Sequence, residues 1–273
     1  MSSETAAMGP PPPRVSSLVR RSISALALAP PVLAAVWFGP PWSDILIVVS
    51  AGVLVWEWTR LVAGDGFDGG ILAVAVVAGV TLATFGEWTP AFVTVVLGAV
   101  IHLARKALRS HRGQPAWMAA GTLYLGLPGI ALVWLRDLPD GLAVVVWLLL
   151  VVWSVDIFAY VAGSSIGGPK LWPAVSPKKT WAGLIGGIVA ASIVGGLLGL
   201  AEAGRDPLRL AILAAILAVV AQGGDLLESA VKRRFGVKDA SGIIPGHGGL
   251  LDRVDGLLAA SLALAAALWL ALV

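Results

Sequence analysis

Long apolar stretches, separated by short polar segments, occupy almost the whole chain after residue 20. A transmembrane helix needs about 20 mostly apolar residues. The stretches are continuous rather than alternating, which predicts helices and not the strands of a barrel. Two stretches are short, so eight and ten spans are alternatives to the best count of nine. The nine predicted spans are residues 22–38, 43–62, 70–86, 90–104, 117–135, 141–162, 181–201, 208–224 and 256–273.

The composition excludes a soluble globular enzyme and a disordered chain. Hydrophobic residues make up 58% of the 273 residues and charged residues 13%, whereas soluble domains average about 45–50% and about 25%. The sequence has no cysteine, which excludes disulfides, thiol nucleophiles and iron–sulfur clusters. We therefore predict an all-α polytopic membrane protein with about nine transmembrane helices, located in the cell membrane.

The distribution of positive residues predicts the orientation. With nine spans, sixteen of the nineteen Lys and Arg residues fall on the side of the N-terminus. Because Lys and Arg favour cytoplasmic loops, the N-terminus is predicted to be cytoplasmic and the C-terminus outside. The net charge of +3 is too small to indicate nucleic acid, and no nucleic-acid partner is expected.

The chain divides into a short tail and one domain. Residues 1–20, with four consecutive prolines, are predicted to form a disordered cytoplasmic tail, and residues 21–273 a single integral-membrane catalytic domain. The apolar run after Arg20 and Arg21 is similar to a signal peptide. Eight further spans favour an uncleaved signal anchor instead.

The most polar segment, residues 222–256, begins on the eighth predicted span and ends on the ninth. Asp252 and Asp255 open the last span, three residues apart. Carboxylates at this density suit Mg²⁺, which takes one or two carboxylates together with substrate phosphates. The Gly-rich turn at residues 245–249 suits phosphate oxygens. Four residues at i, i+3, i+4 and i+7 share one helix face: Asp225, Glu228, Ser229 and Lys232.

A second polar segment covers residues 156–181. Asp156 lies inside the sixth span, where a costly carboxylate marks a candidate functional site; a hydrogen-bonded packing residue is the alternative. Lys178 and Lys179 precede a helix that Thr180 can cap, which makes a candidate anion site. Lysines that only set the topology are the alternative here.

Plainer interpretations apply to other polar residues. The whole 222–256 segment has the alternative of a solvated, positive-inside loop whose aspartates cap helices. Glu228 and Arg234 are candidates for surface ion pairs, so the mutation Glu228→Gln is expected to matter little. Glu57, near the inner end of the second span, is interpreted as a salt-bridge partner.

The residues in these segments form a specific pattern. Residues 176–181, Ser-Pro-Lys-Lys-Thr-Trp, and residues 56–58, Trp-Glu-Trp, accompany a longer block near the C-terminus. Together they resemble the signature of the phosphatidate cytidylyltransferases, also called CDP-diacylglycerol synthases. The longer block reads Ser229-x-x-Lys232-Arg233-x-x-x-x-Lys238-Asp239, then Pro245-Gly246-His247-Gly248-Gly249-x-x-Asp252-Arg253-x-Asp255.

The resemblance implies a reaction and its requirements. The implied reaction converts CTP and phosphatidic acid to CDP-diacylglycerol and pyrophosphate at the cytoplasmic membrane surface, for phospholipid biosynthesis. It implies a Mg²⁺-dependent site with one or two divalent cations, for which K⁺ is a candidate second cation. It also implies a homodimer.

The resemblance and the polar pattern together assign roles to residues. The predicted metal ligands are Asp225, Asp252 and Asp255, with Asp156 as a further candidate. Lys232 and His247 join the three aspartates as predicted catalytic residues. The predicted substrate- and phosphate-binding residues are Ser176, Lys178, Lys179, Thr180, Ser229, Arg233, Lys238, Asp239, Gly248, Gly249 and Arg253.

One departure from the family pattern is visible, and rival functions stay open. The family's sixth-span motif usually follows its glycine with Arg or Lys, whereas Ser164 follows Gly163 here; Lys170 is a candidate replacement. A CTP-using kinase of a lipid alcohol would need similar residues. A secondary transporter would explain the Gly-rich spans, although transporters usually place their site at the midplane and often have internal repeats, which this sequence lacks. A purely structural membrane protein is the remaining alternative.

Overall fold

The computed structural model describes residues 17–64, 69–107, 114–201, 206–246 and 248–270. Within these ranges the chain forms nine helices and one two-stranded sheet. The helices are α1 (Ser17–Phe38), α2 (Trp42–Ala63), α3 (Gly70–Thr84), α4 (Trp88–Ala107), α5 (Pro115–Asp137), α6 (Gly141–Ser165), α7 (Trp181–Ala201), α8 (Pro207–Arg234) and α9 (Leu251–Trp269). The strands are β1 (Lys170–Trp172) and β2 (Ser176–Thr180).

Every predicted span coincides with a helix, and the largest differences lie at the ends. Helix α8 continues beyond the predicted end at residue 224 to Arg234, because its polar residues pair with each other and with neighbouring elements. Helix α1 begins at Ser17, inside the predicted tail, and the rest of that tail lies outside the described residues.

Six of the described helices are long and apolar enough to cross a membrane: α2, α4, α5, α6, α7 and α8. Large apolar side chains on their outer faces are exposed, as the series Ile185, Val189, Ile193 and Leu197 on α7 shows. Apolar residues repeated at this spacing form one continuous face of the helix, which is typical of a surface in contact with lipid. The protein is therefore an all-α membrane protein, and the count of nine spans stays a prediction.

Two apolar clusters hold the bundle together. One joins α6, α7 and α8 to parts of α1, α5 and α9, and includes the buried residues Leu148, Ala191 and Leu217. The other joins α2, α3, α4 and α5 to the C-terminal end of α8 and the first half of α9, and includes Leu72 and Leu251. Helices α5, α8 and α9 contribute to both clusters, so the C-terminal segment is fixed from two sides.

Small residues allow α6, α7 and α8 to approach closely, as expected for packing in lipid. A methyl group added at Gly186 would lie 2.4 Å from the Cβ atom of Ala162 on α6. One added at Gly195 would lie 2.6 Å from the Cβ atom of Ala214 on α8. Glycine at these two positions therefore allows α7 to pack directly against α6 and α8.

The sheet was not predicted. Strands β1 and β2 pair antiparallel, with Lys170 opposite Thr180 and Trp172 opposite Ser176. The turn between them closes with a hydrogen bond from the Val175 amide to the Trp172 carbonyl. This hairpin leads directly into α7 and so places the Ser-Pro-Lys-Lys-Thr block at the end of the bundle.

Candidate active site

The predicted site residues gather at one end of the bundle. There the hairpin, the last turns of α8, the connection of residues 235–250 (hereafter the α8–α9 loop) and the first turn of α9 meet. Two chain segments that the sequence analysis treated separately contribute to the same cluster. Its charged members form two groups, one around Asp225 and one around Asp252.

Lys179 joins the hairpin to α8. Its Nζ atom lies 2.6 Å from Asp225 Oδ2 and donates a hydrogen bond of 3.1 Å to Gln222 Oε1, one turn earlier on α8. The Ser229 hydroxyl donates to Asp225 Oδ1 over 3.4 Å, as their shared helix face predicts. Asp225 therefore has a cation on one side and a hydroxyl on the other.

Lys232 joins α8 to α9. Its Nζ atom lies 2.5 Å from Glu228 Oε2 and 2.5 Å from Asp252 Oδ1. The interpretation of Glu228 as part of a surface pair is wrong, because this residue is 1% exposed and Lys232 only 8%. The buried Lys232 ammonium group thus joins a carboxylate on α8 to a carboxylate on α9, and each carboxylate compensates its charge.

Asp252 also fixes the α8–α9 loop. Its Oδ2 atom accepts hydrogen bonds from the Gly249 amide at 2.7 Å and the Ala240 amide at 3.0 Å. Gly248 has a φ of +89° and forms a short antiparallel bridge with Ile244. A Cβ atom at Gly248 would lie 2.7 Å from Asp252 Oδ2, so the turn requires glycine for its backbone conformation and for space.

Glu57 reaches the same loop from α2. It is fully buried, at 0% exposure, and its Oε1 atom accepts hydrogen bonds from the Ser241 hydroxyl and the Leu250 amide. Its Oε2 atom accepts one from the Leu251 amide. The salt-bridge interpretation of Glu57 is therefore replaced by a carboxylate that binds a hydroxyl and two backbone amides.

Asp255 lies where α8 and α9 are in close contact, whereas Asp156 is exposed on α6. A Cβ atom at Gly224 would lie 2.8 Å from the Asp255 carbonyl oxygen, so the backbones bearing Asp225 and Asp255 approach each other. Asp255 Oδ1 accepts a hydrogen bond from the Gly256 amide. Within the described ranges, no group of three or more acidic or histidine side chains lies close enough to hold a metal alone.

Several predicted phosphate-binding residues lie at the exposed rim of the site. Ser176 is half-buried in the hairpin. Arg233 donates a hydrogen bond of 3.0 Å to the Val237 carbonyl, and Gly249 is buried against Glu57, with its amide bound to Asp252. His247 lies outside the described residues. The exposed members of the predicted set are Lys178, Arg233, Lys238, Asp239 and Arg253.

Ser164, which stands where the family pattern usually has Arg or Lys, lies at the end of α6. Ser164 is exposed and donates a hydrogen bond to the Val161 carbonyl within its own helix. Lys170, its candidate replacement, is exposed at the start of the hairpin. Its role in binding phosphate stays a prediction.

Thr180 caps α7 as predicted. Its Oγ1 atom accepts a hydrogen bond of 3.1 Å from the Gly183 amide, and the residue is 3% exposed. We expect Thr180→Val to lower the free energy of unfolding by about 1 kcal/mol, because a cap hydroxyl is lost. In a thermal melt of the detergent-solubilised protein this corresponds to a decrease of about 2–4 °C.

The matched control for this substitution is Thr180→Ser, which keeps the hydroxyl and should melt within about 1 °C of the unmodified protein. Equal melting temperatures for the valine and serine variants would show that the cap contributes nothing.

Three members of the network were not predicted as site residues: Glu57, which was interpreted only as a salt-bridge partner, Gln222 and Ser241. For Glu57 a signal existed, since a carboxylate at the end of an apolar span is costly and needs partners. Ser241 gives no such signal, because its partner is 184 residues away in the chain.

Comparison with known proteins supports one family. The sequence model of the Cytidylyltransferase family matches residues 19–271. A phosphatidate cytidylyltransferase of Brucella abortus biovar 1 (strain 9-941) is 40% identical over 252 residues, which cover 90% of this chain and 92% of the relative. One from Rickettsia bellii (strain RML369-C) is 39% identical over 52% of this chain and 64% of its own. One from Bacillus subtilis (strain 168) is 40% identical over 53% of this chain and 55% of its own.

Proposed function

The chain belongs to the cytidylyltransferase family, and from this we propose that it transfers the cytidylyl group of CTP to phosphatidic acid. The products are CDP-diacylglycerol and pyrophosphate. The similar proteins are named for phosphatidate as the acceptor. The membrane helices of this chain suit a substrate that carries two acyl chains.

One contact carries the proposal at the level of structure: the 2.6 Å ion pair between Lys179 and Asp225. It joins the hairpin to α8, so that the lysines of the hairpin and the carboxylates of α8 lie in one site. Two polyanionic substrates need cations for binding, and carboxylates can hold a divalent metal between their phosphates. The site offers both types of group side by side.

The residues support a direct displacement. An oxygen of the lipid phosphate attacks the α-phosphorus of CTP, a new P–O bond forms, and the bond from the α-phosphorus to the bridging oxygen breaks to release pyrophosphate. A phosphate monoester has a second pKa of about 6, so the attacking oxygen is already an anion at neutral pH. The reaction therefore needs little general-base help, and catalysis rests on positioning and charge stabilisation.

Lys178 and Lys179 carry the charges that we assign to the CTP phosphates. Lys179 is held by Asp225 and Gln222, which fixes its ammonium group before substrate binds. Lys178 is exposed on the same strand and reaches solvent, from which CTP arrives. Preformed cations of this kind lower the repulsion between the two substrates.

The donor set fits Mg²⁺. Asp225 and Asp255 lie on helices whose backbones are in close contact at Gly224, and Mg²⁺ takes one or two carboxylates and completes its shell with phosphates and water. Bound there, the ion would neutralise charge on the transferring and leaving phosphates. Asp252 stays a predicted ligand, although its oxygens already accept from Lys232 and two amides. Asp156 and a second cation, K⁺ included, remain further proposals.

The distribution of Lys and Arg residues supports one orientation of the protein in the membrane. We propose that the site lies at the cytoplasmic surface, with the N-terminus inside and the C-terminus outside, since sixteen of nineteen Lys and Arg residues then face the cytoplasm. Phosphatidate would enter laterally between helices with its headgroup at the level of Asp225 and Asp252. The homodimer implied by the family resemblance also stays a proposal.

An acceptor-exchange assay tests the proposed function. Purified protein in detergent is given CTP, Mg²⁺ and either phosphatidic acid or diacylglycerol, and the release of pyrophosphate and the release of CDP are followed separately. We expect pyrophosphate release only with phosphatidic acid, because the nucleophile is a phosphate. Release of CDP with diacylglycerol in its place would favour a kinase of lipid alcohols instead.

Metal removal is a separate prediction. EDTA in excess over Mg²⁺ is expected to lower turnover by at least about 10³-fold, because repulsion between the substrates is no longer neutralised. Restoring free Mg²⁺ should restore the rate, while an equal concentration of the calcium complex of EDTA, with Mg²⁺ left free, serves as the chelator control. Full activity in EDTA would contradict the metal site.

A further inference from the structure

Among the carboxylates in the N-terminal half of the described chain, Glu57 alone accepts hydrogen bonds from the α8–α9 loop and the start of α9. We propose that Glu57 is a positioning residue for the transfer reaction: it fixes this loop and the start of α9 so that Asp252 and Asp255 face the substrate phosphates. The inference rests on the proposed function above. It concerns a residue that touches neither substrate.

The hydrogen bonds of Glu57 come from both ends of the loop segment that precedes Asp252. The Ser241 hydroxyl lies 2.5 Å from Oε1, the Leu250 amide 2.8 Å from Oε1, and the Leu251 amide 2.7 Å from Oε2. One buried carboxylate thus holds residues before and after the bridge between Ile244 and Gly248. Asp252 is the next residue after Leu251.

Glu57 also acts as the cap of α9. The first amides of a helix have no partner within it, and α9 begins after Leu250, whose side chain cannot accept a hydrogen bond. The carboxylate of Glu57 supplies the missing acceptors from another helix. A negative charge at a helix N-terminus is also favoured by the helix dipole, so the position of α9 along its axis is tied to α2.

The two glycines Gly248 and Gly249 leave room for the carboxylates of Asp252 and Glu57. A Cβ atom at Gly249 would lie 2.5 Å from Glu57 Oε1, and one at Gly248 would lie 2.7 Å from Asp252 Oδ2. The loop therefore packs its backbone directly against Glu57 on one side and Asp252 on the other. Loss of either carboxylate would allow the turn to move relative to α9.

The primary test is Glu57→Gln, which keeps the size but turns one acceptor into a donor that faces an amide. We expect turnover (kcat) with CTP and phosphatidic acid to fall about 30-fold or more, since a displacement of about 1 Å can cost about 10²-fold. The Michaelis constants should stay within about threefold, because Lys178 and Lys179 are unchanged. Glu87→Gln, at an exposed residue between α3 and α4, is the matched control and should behave like the unmodified protein.

A second readout follows the loop itself. Lys238 is exposed in the α8–α9 loop, and trypsin cleavage after it in the detergent-solubilised protein should become at least about fivefold faster in Glu57→Gln, because local opening exposes the backbone. This measurement needs no substrate. If the unmodified protein made no CDP-diacylglycerol, the proposed function would fail, while the cleavage result would still report on the loop.

A double-mutant cycle gives a variant with a smaller risk of misfolding. Ser241→Ala removes one of the three hydrogen bonds and is expected to lower kcat about three- to tenfold alone. Because Ser241 acts through Glu57, the same substitution should have no further effect in the Glu57→Gln background. Full additivity of the two changes would overturn the proposal.

Other outcomes are equally decisive. Unmodified kcat in Glu57→Gln, or a loss explained by a smaller folded fraction in size-exclusion chromatography, would overturn the proposal. So would a loss of kcat without faster cleavage, because the loop would then not have moved. If Glu57→Gln does not fold, Ser241→Ala decides alone: unchanged kcat and cleavage overturn the proposal, and a loss with faster cleavage supports it.

Discussion

Replacing Asp252 with asparagine is expected to lower turnover by at least about 10³-fold while the protein stays folded and inserted. The carboxylate accepts from the Lys232 ammonium and from two loop amides, and an asparagine can present only one acceptor atom. The substitution therefore weakens the hydrogen bonds that hold the α8–α9 loop, and it also removes a negative charge near the proposed site of the substrate phosphates. Glu228 remains beside Lys232, so the buried lysine keeps a counter-charge and the fold should survive.

The measurement for Asp252→Asn is the rate of CDP-diacylglycerol formation per folded molecule, with a thermal melt as the check on folding. Asp206→Asn is the matched control. Asp206 caps the other end of α8 and is exposed, and asparagine is an equally good cap residue, so that variant should keep full activity. More than about a tenth of normal turnover in Asp252→Asn would remove this carboxylate from the proposed machinery.

Lys179→Gln is the second substitution with a large expected effect, a decrease in kcat/KM of about 10²-fold or more. Lys179 is the cation nearest Asp225, with a side chain that is 19% exposed. Without it, the carboxylate would face incoming CTP uncompensated, so the KM for CTP should rise together with the loss of kcat. Arginine at this position keeps the charge and should retain part of the activity.

Steady-state kinetics with varied CTP check this expectation. Arg209→Gln is the control, since Arg209 pairs with Asp206 at the far end of α8 and is exposed. It removes the same charge and should leave both constants unchanged. An unchanged KM for CTP in Lys179→Gln would show that the hairpin lysine does not bind the nucleotide.

Much of the fold could be predicted because a membrane imposes one strong rule: apolar stretches of sufficient length become helices. That rule placed every described helix, and the preference for a hydroxyl residue at a helix start predicted the cap at Thr180. The membrane rule could not predict the β1–β2 hairpin, since seven of its eleven residues from Lys170 to Thr180 are Pro, Lys or small polar residues without strand periodicity. Its pairing depends on the position of α6 and α7.

The site was predictable only where its residues are close in sequence. Asp225, Ser229 and Lys232 share a helix face, and that local spacing is visible in the chain. The burial of Glu228 and the bonds of Glu57 depend on contacts between helices that are distant in sequence. An acidic residue near a membrane surface has the same local pattern whether it is solvated or buried, so its burial could not be deduced.

In the proposed reaction the α-phosphorus of CTP moves to the lipid. The position of a radioactive phosphate in CTP distinguishes this transfer from transfer of the γ-phosphate. Two parallel reactions of the purified protein with phosphatidic acid and Mg²⁺ use CTP labelled with ³²P at either the α or the γ phosphate. We expect α label to enter the lipid phase as CDP-diacylglycerol, while γ label stays in water as pyrophosphate. Label from the γ position in the lipid, or no lipid label from the α position, would contradict the proposed reaction.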